Sequence, residues 1–356
     1  MIPIRDFLYF PHSVDSLIFL CYHGSAAIFR VSVCGNQRPP KAAERHEVHM
    51  KKSKTMDDTK KARRKQLILV LVNVFLLLAV VAVIALLIVR SDWRYGLFER
   101  FRSRNPAQAE RMQLVDSDCR TVSLHDLLEG QTEGIALDRS LMLVNGEHRL
   151  AADFQPVTVE FRDTDLLIDT AVTEPLEALL QANSEATGEK LLLMSTFRDA
   201  EEQAQVKKEE GNLAAEPGTS EHQTGLGLDV YVAGKAQRRI IDSQSGVWLD
   251  QNGWKYGFII RYPFLKSGET GQSYEPWHIR YVGKPHAELI YRNRHTLESY
   301  LDSLHIGVFY RFSGYGFSLQ TPDEKYCLRI PAAWSQVTVS PDNCGRYMVT
   351  GFLSAA

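Results

Sequence analysis

The sequence predicts an α+β protein with one membrane-spanning helix near its N-terminal end. One observation is an unbroken apolar run at residues 67–89. The other is that, beyond residue 140, short apolar segments typical of strands alternate with charged segments typical of helices. The chain has 356 residues, of which 44% are hydrophobic and 24% charged, as in an ordinary globular protein. A net charge of −2 gives no indication of a nucleic-acid partner.

The apolar run at 67–89 reads "LILVLVNVFLLLAVVAVIALLIV" and contains one polar residue, Asn73. As a helix it would be about 34 Å long, enough to cross a hydrocarbon core of roughly 30 Å. A buried core helix of this length and purity would be unusual. A cleaved signal peptide normally has a shorter apolar region followed by small residues, whereas this run ends in Val-Arg-Ser-Asp-Trp. The sequence therefore predicts an uncleaved anchor in the lipid bilayer.

Basic residues on the two sides of the anchor predict its orientation. Eight lysines and arginines lie within residues 51–66, and five arginines lie within residues 90–104. Because positive charge accumulates on the cytoplasmic side, we expect residues 1–66 in the cytoplasm and the rest of the chain outside. Residues 1–49 are interpreted as an overextended start or a disordered tail, since Met50 opens a Lys-rich stretch typical of an anchored protein.

The outer part of the chain is predicted to contain three segments. Mixed charge at 90–135 indicates an extracellular stalk with a short helix near its end, around Leu124–Leu128. A compact domain at 136–305 begins with a strand and a turn at Asn145-Gly146. Its further elements are a helix in "AVTEPLEALLQANSEATG", a buried strand in "KLLLMSTF", a helix in "RDAEEQAQVKKEEGN", a strand in "GLDVYV", a short helix and a strand in "SQSGVWLDQNGWKYGFII", a strand in "EPWHIRYVG" and a helix in "KPHAELIYRNRHTLESYLDSL".

Residues 306–356 differ from this domain, because short strands follow one another between Pro-Asp turns. We expect a small β appendage there. The chain has five cysteines and no Cys-x-x-Cys, which argues against a zinc finger or a thioredoxin-type site. Cys327 and Cys344 lie on or beside neighbouring predicted strands and could pair in an oxidising exterior.

Two stretches contain residues suited to a metal site. "GTSEHQTGLGLDVYV" contains His222 and Asp229, and "YEPWHIRYVG" contains His278. A catalytic zinc takes three protein ligands of this type and keeps one position open. Gly225 and Gly227 allow a tight bend between the first two, and an unpaired carboxylate in the apolar run around Asp229 would be costly. The alternative is that Asp229 caps a turn and His222 is an ordinary surface residue.

Glu275 stands three residues before His278, where a base would complete the chemistry. In a straight strand the two side chains would point to opposite faces, but Pro276 predicts a bend that turns both into one cleft. Hydrolysis by a metal-acidified water needs such a base. Arg198 follows an apolar strand and can hold a carboxylate through two parallel hydrogen bonds. An exposed Glu275 and a surface ion pair of Arg198 are the alternatives.

Four blocks, "STFRDAEEQ", "PGTSEHQTGLGLDV", "WLDQNGWKYGFIIRYP" and "YEPWHIRYVG", occur in the order seen in zinc D-alanyl-D-alanine carboxypeptidases of the vancomycin-resistance type, which the chain resembles over about 140–290. The resemblance implies a small antiparallel sheet with flanking helices and one Zn²⁺ per chain. It implies roles for seven side chains. The zinc ligands would be His222, Asp229 and His278, and the general base would be Glu275. Arg198 would be catalytic as well as substrate-binding, because it would orient the substrate and polarise its scissile carbonyl, and Gln203 and Ser220 would line the cleft.

The resemblance further implies a metallopeptidase, not a serine-type enzyme, that hydrolyses the C-terminal D-Ala from peptidoglycan stem peptides outside a bacterial membrane. An L,D-carboxypeptidase, a D-Ala-D-Ala dipeptidase and a catalytically silent wall-binding module remain alternatives, although a binding module needs no base. Two departures from the family pattern affect neither ligand nor base. Ser195-Thr196-Phe197-Arg198 replaces Ser-Gly-Tyr-Arg, and Gly225-Leu226-Gly227 replaces Gly-Leu-Ala.

Overall fold

The computed structural model describes residues 17–22, 25–30, 42–162, 164–211 and 214–353. The chain divides into two units, Met1–Val81 and Ala82–Ala356. The first unit contains an antiparallel hairpin of β1 (Leu17–Tyr22) and β2 (Ser25–Arg30). It also contains most of helix α1, which runs over Ala42–Val89. The predicted tail at 1–49 lies largely outside the described residues.

Helix α1 includes the predicted anchor. Its stretch Lys54–Val89 is long and apolar enough to cross a membrane, and none of its most apolar window is buried. A core helix of a soluble domain would bury this window against other elements. Asn73, the one polar residue of the run, donates its side-chain amide to the carbonyl of Leu69, so its polar group is bonded within the helix.

The second unit continues with the following elements in chain order: α2 (Ser91–Phe101), β3 (Glu110–Arg111), β4 (Cys119–Ser123), α3 (Leu124–Leu128), β5 (Ile135–Leu137), β6 (Thr158–Glu160), β7 (Leu167–Asp169), α4 (Thr173–Thr187), β8 (Leu191–Ser195), α5 (Ala200–Glu210), β9 (Gly227–Val232), α6 (Gln244–Asn252), β10 (Phe258–Tyr262), α7 (Ser267–Thr270), β11 (Glu275–Tyr281), α8 (His286–Asn293), α9 (Leu297–Ser303), β12 (Tyr310–Phe312), β13 (Tyr315–Gln320), β14 (Cys327–Pro331), β15 (Trp334–Pro341) and β16 (Tyr347–Leu353).

A four-stranded sheet, in the order β10-β11-β9-β8, forms the centre of the second unit, and all its neighbouring strands are antiparallel. Helix α4 covers one face with Leu176 and Leu179, both fully buried, and ends at Gly188, whose φ of 70° is left-handed. Burial of one such leucine stabilises the fold by about 1.5–3 kcal/mol. The expected α+β class and the small antiparallel sheet with flanking helices are confirmed.

The alternation of side chains along β9 determines which face of the sheet can carry polar groups. Leu228, Val230 and Val232 are buried in the core under α4. Successive strand residues point to opposite faces, so Asp229 lies on the other side of the sheet. The predicted strand in "GLDVYV" therefore has one core face and one face that is free to form a site.

A second sheet has six strands in the order β3-β12-β13-β16-β15-β5. The residues predicted as a stalk supply β3, which pairs with β12, and the first residue of β5, which pairs in parallel with β15. In the same way β4 pairs with β14. The segments 90–135 and 306–356, expected to be a stalk and a separate appendage, thus form shared sheets. Such pairing depends on backbone hydrogen bonds between distant segments, which local composition does not reveal.

Three local predictions differ from the structure. The helix expected in "KPHAELIYRNRHTLESYLDSL" is two helices, because Arg294 adopts the left-handed conformation and ends α8. The apolar segment 141–144 is buried but pairs with no strand among the described residues. The turn at Asn145-Gly146 is present, because Oδ1 of Asn145 accepts hydrogen bonds from the backbone nitrogens of Glu147 and His148. No disulfide joins Cys327 to Cys344, which lie on β14 and on the turn before β16.

Candidate metal centre and catalytic cleft

The register of the central sheet brings His278 beside Asp229. Strands β9 and β11 are antiparallel neighbours, and His278 is the residue directly opposite Asp229. His222 reaches the same place from a short 3-10 helix, Glu221–Thr224, that leads into β9. The three side chains offer ligand atoms that all lie within 4.8 Å of one another. The sequence-predicted ligand set is thus assembled on the free face of the sheet.

The orientation of the two imidazoles suits a shared ligand position. Nδ1 of His222 lies 2.7 Å from the carbonyl oxygen of Thr196, and its Nε2 lies 3.3 Å from Oδ2 of Asp229. Nδ1 of His278 lies 2.8 Å from Oδ1 of Asp229. A histidine that ligates a metal commonly donates its other ring nitrogen to an oxygen, which fixes its tautomer and direction. His222 has this arrangement, because its Nδ1 donates a hydrogen bond to the carbonyl oxygen of Thr196.

Two glycines make the close approach possible. Gly225 ends the 3-10 helix with a φ of 70°, and a Cβ there would lie 2.7 Å from the backbone nitrogen of Asp169. A Cβ on Gly227 would lie 2.9 Å from Cβ of Glu221 and 3.1 Å from Nε2 of His278. The predicted need for glycine at these two positions agrees with this geometry. Gly227, one of the two departures from the family pattern, lies directly against the ligand His278.

A buried charged cluster supports the ligands, and the sequence analysis did not identify it. Glu221 is 1% exposed, and its Oε1 accepts hydrogen bonds from Arg261 at 2.6 Å and Arg280 at 2.7 Å. Both arginines are fully buried, and Arg261 also forms a two-pronged bond with Glu298. The other carboxylate oxygen, Oε2, faces Nε2 of His278 at 3.7 Å. Arginines inside the apolar strands "FIIRY" and "HIRY" are the sequence signal that could have revealed the cluster.

Charges within the centre keep both carboxylates ionised. Burial alone would raise the pKa of Glu221, but Arg261 and Arg280 hold that pKa well below its usual range. Burial also opposes ionisation of Asp229, yet the adjacent His222 and His278 hold its pKa well below normal. An ionised carboxylate flanked by two imidazoles is a suitable set of ligands for a divalent transition metal.

Glu275 lies at the start of β11 and lines the same cavity as the three ligands. The pairing of β10 with β11 shifts register between Ile260 and Tyr262, where four residues of β11 span the interval that two residues of β10 span. This irregularity is the bend expected at Pro276, and it lets Glu275 and His278 reach one cleft. Burial, opposed by the positive charge of His278, raises the pKa of Glu275 to about 7.

Arg198, Gln203 and Ser220 complete the lining of this cavity, whose volume is about 360 Å³. The backbone nitrogen of Arg198 donates to the carbonyl of His222 at 3.3 Å, which places the arginine next to the ligands. Gln203 is 1% exposed and donates to the carbonyl of Ala215 at 2.8 Å. Nε of Arg198 and Oε1 of Gln203 are buried without a hydrogen-bond partner among the described residues. All seven predicted site residues therefore lie around one cavity.

Comparison with known proteins finds relatives of this chain. Residues 165–284 match the family described as VanY, D-alanyl-D-alanine carboxypeptidase. A D-alanyl-D-alanine carboxypeptidase of Enterococcus faecium is 45% identical over 114 residues, which are 32% of this chain and 37% of that relative. The bifunctional D-Ala-D-Ala dipeptidase and D-Ala-D-Ala carboxypeptidase VanXYC of Enterococcus gallinarum is 36% identical over 182 residues, which are 46% of this chain and 95% of that relative.

One solved structure shows the fold. The D,D-dipeptidase VanXYg, crystallised with a D-Ala-D-Ala phosphinate analogue, aligns with 66% of this chain and 99% of its own at a TM-score of 0.53 and 24% identity. A D-alanyl-D-alanine carboxypeptidase of Enterococcus faecalis strain V583 is 34% identical over 50% of this chain and 71% of its own. The resemblance predicted from the four sequence blocks is confirmed, and the chain belongs to the D-alanyl-D-alanine carboxypeptidase family.

Proposed function

We propose that this chain is a zinc-dependent D-alanyl-D-alanine carboxypeptidase that hydrolyses the C-terminal D-Ala from peptidoglycan stem peptides. The observation that carries the proposal is the convergence of two imidazoles and one carboxylate within 4.8 Å, in a cavity that also contains Glu275 and Arg198. This combination provides a metal site, a base and an anion-binding group in one place, as hydrolysis of a peptide at its carboxyl end requires.

The residues present fit a zinc ion. His222, Asp229 and His278 would hold one Zn²⁺ per chain, since two nitrogens and one oxygen form a known catalytic ligand set with a position left for water. Nε2 of His278 is buried and lacks a hydrogen-bond partner among the described residues, and it faces the Glu221 carboxylate. Zinc held by the three ligand side chains would supply Lewis acidity, which polarises a carbonyl and acidifies water.

Glu275 is the proposed general base. Its pKa of about 7 makes its carboxylate a better proton acceptor than an ordinary glutamate while leaving much of it ionised at neutral pH. In the proposed reaction one oxygen of Glu275 accepts a proton from the attacking water. The same carboxyl group then donates the proton to the nitrogen of the leaving D-Ala.

Arg198 is the proposed substrate-positioning group. Its buried Nε has no hydrogen-bond partner among the described residues, and the guanidinium lines the cavity beside the ligands. A guanidinium in this state binds a carboxylate strongly, because charge-assisted paired hydrogen bonds compensate its desolvation. The C-terminal carboxylate of a stem peptide is such a partner. Gln203 and Ser220 are proposed to bind the polar backbone of the same peptide.

Release of D-Ala from defined peptides tests the activity. Zinc-loaded protein is incubated with a pentapeptide ending in D-Ala-D-Ala, a tetrapeptide ending in one D-Ala after an L-centre, and the free dipeptide D-Ala-D-Ala. We expect the pentapeptide to lose D-Ala at least about tenfold faster than either alternative is hydrolysed. A tenfold difference in rate corresponds to about 1.4 kcal/mol in activation free energy. Preference for the tetrapeptide would indicate an L,D-carboxypeptidase, and preference for the dipeptide a dipeptidase. Binding without any hydrolysis would indicate a wall-binding module.

We further propose that α1 spans a bacterial cell membrane once, with the peptidase part outside. The support is the length and apolar character of Lys54–Val89 and the excess of basic residues before residue 67. Protease added to intact protoplasts should digest the chain beyond residue 90 and spare the Lys-rich segment 51–65. Protection of the C-terminal part would reverse the proposed orientation.

A further inference from the structure

Helix α2 begins two residues after α1 ends and has two different faces. Its inner face is fixed to the peptidase part of the chain. Tyr95 donates its hydroxyl to Asp250 at 3.0 Å, and the carbonyl of Glu99 accepts from Arg294 at 2.7 Å. Gly96 lies so close to Phe264 that a Cβ would come within 2.4 Å of the ring. These contacts make α2 part of the folded domain.

The outer face of α2 is apolar and exposed. Its large side chains Trp93, Leu97, Phe98 and Phe101 are 44%, 39%, 61% and 81% exposed. They recur at the spacing of one side of a helix, so they form a stripe, which also contains Arg94. Apolar aromatic groups in this number on a short helix are costly to leave in water and indicate an interaction surface.

Two arginines lie on the same side of the helix, Arg94 among the four apolar side chains and Arg100 at their edge. Arg94 and Arg100 are exposed, and neither guanidinium forms an ion pair within the part of the chain that the structure describes. A helix with tryptophan and phenylalanine on its apolar side and arginine beside them is typical of the membrane interface, where aromatic rings lie at headgroup level and arginines contact phosphates.

We propose that the outer face of α2 lies in the headgroup region of the bilayer and binds anionic phospholipid, which holds the peptidase domain at the membrane surface. The proposal rests on the proposed membrane span. Only Arg90 separates α1 from α2, so α2 follows the end of that span directly. A helix of 11 residues is about 16 Å long, and its first turn directly follows the end of the hydrocarbon-spanning segment. The bilayer is therefore the surface that the chain connectivity brings to this stripe.

This contact also relates the membrane to the catalytic cleft. Asp92 of α2 lies 4.0 Å from the guanidinium Nε of Arg238, and Gln237, the preceding residue, lines the catalytic cavity. Because α2 is fixed to the domain on its inner face, binding of its outer face to lipid would set the orientation of the cleft relative to the bilayer. A free stalk would leave that orientation undefined.

Quenching of Trp93 by brominated lipid tests the contact. Full-length protein and the Trp93→Phe variant are reconstituted in vesicles of phosphatidylglycerol and phosphatidylcholine. The lipids carry either no bromine or bromine on the acyl-chain carbons near the headgroup. The difference between the two proteins isolates Trp93 from the other four of the five tryptophans. We expect Trp93 emission to fall at least twofold in brominated vesicles. Absence of quenching overturns the proposal. If Trp93 is then also protected from acrylamide, a quencher dissolved in water, a second copy of the chain covers the stripe in place of lipid.

A paired variant shows whether the stripe is responsible. Phe98→Asp with Phe101→Asp places charge on the exposed face without touching the inner contacts, and should abolish most of the Trp93 quenching. Tyr326→Asp is the matched control, because this aromatic is 73% exposed but lies before β14, and should leave quenching unchanged. Undiminished quenching in the double variant overturns the proposal.

Alkaline extraction of the same vesicles separates this failure from others. Loss of the protein on extraction would overturn the span and the α2 contact together. Retention without Trp93 quenching would overturn the α2 contact alone. Zinc-dependent D-Ala release, measured on the same samples, reports the proposed activity independently of either result.

Discussion

Nε2 of His278 faces Oε2 of Glu221 at 3.7 Å, and both atoms are buried without a hydrogen-bond partner among the described residues. Arg261 and Arg280 hold the opposite oxygen of Glu221. The carboxylate is therefore fixed beside the ring edge of His278 that points away from Asp229. This relationship places Glu221 behind a proposed zinc ligand, where a carboxylate can orient the imidazole and increase its basicity.

The first prediction concerns Glu221. Glu221→Gln should weaken zinc binding about 10–100-fold, because the carboxylate that orients His278 becomes a neutral amide. Zinc affinity is measured by competition with a chelator, on protein whose folding is checked by circular dichroism. Glu298→Gln is the matched control, since Glu298 also pairs with Arg261 but forms no ion pair with His278 among the described residues. Equal zinc loss in both variants would contradict a specific role for Glu221.

The second prediction concerns the ligands. His222→Ala and His278→Ala should each eliminate stoichiometric zinc and abolish D-Ala release, because two remaining protein ligands hold the ion poorly. Metal analysis of the purified variants provides the measurement. His125→Ala, at an exposed histidine on α3, should keep zinc and activity. Stoichiometric zinc in both ligand variants would refute the ligand assignment.

The third prediction isolates the base. Glu275→Gln retains shape and hydrogen bonding but cannot accept a proton, so turnover should fall by about 10²–10⁴-fold, the usual contribution of a general base. Zinc content and substrate binding should remain those of the unaltered protein. Kinetics with the pentapeptide provide the measurement. Near-normal turnover with zinc present would assign the base elsewhere.

The fourth prediction concerns the substrate carboxylate. Arg198→Lys keeps the positive charge but loses the planar fork, so we expect KM for the pentapeptide to rise about tenfold while kcat changes less. Steady-state kinetics separate the two parameters. A fall in kcat at constant KM would instead place Arg198 on the oxyanion that develops in the transition state.

The fifth prediction concerns the pH dependence of the unfolding free energy of the protein without bound metal. Burial raises the pKa of Glu275 from 4.5 to about 7, so the folded state binds a proton that the unfolded state releases between these pH values. The contribution of Glu275 is therefore fully present below pH 4.5 and is lost as pH rises toward 7. Relative to Glu275→Gln, the unaltered protein should lose about 3 kcal/mol of unfolding free energy across this window. Parallel pH profiles of thermal unfolding in detergent would contradict this.

Local sequence patterns predicted most elements, whereas the proposed site residues came from residue chemistry together with the resemblance of four sequence blocks to the family. The strand in "GLDVYV" and the helix that ends at Gly188 match β9 and α4, because side-chain periodicity and a glycine cap act within a few residues. The ligand candidates were visible from residue type, since His222, Asp229 and His278 have the chemistry of a metal site wherever the chain places them.

The tertiary structure alone decided how these pieces meet. The register that puts His278 opposite Asp229 and the pairing of β3 and β5 with strands near the C-terminal end join segments far apart in sequence. The Glu221 cluster likewise exists only because folding buries Arg261 and Arg280. A buried guanidinium without a partner is costly, so both arginines need the Glu221 carboxylate. Residue type and periodicity are local properties, whereas register, burial and the environment of a charge are set by contacts between distant segments.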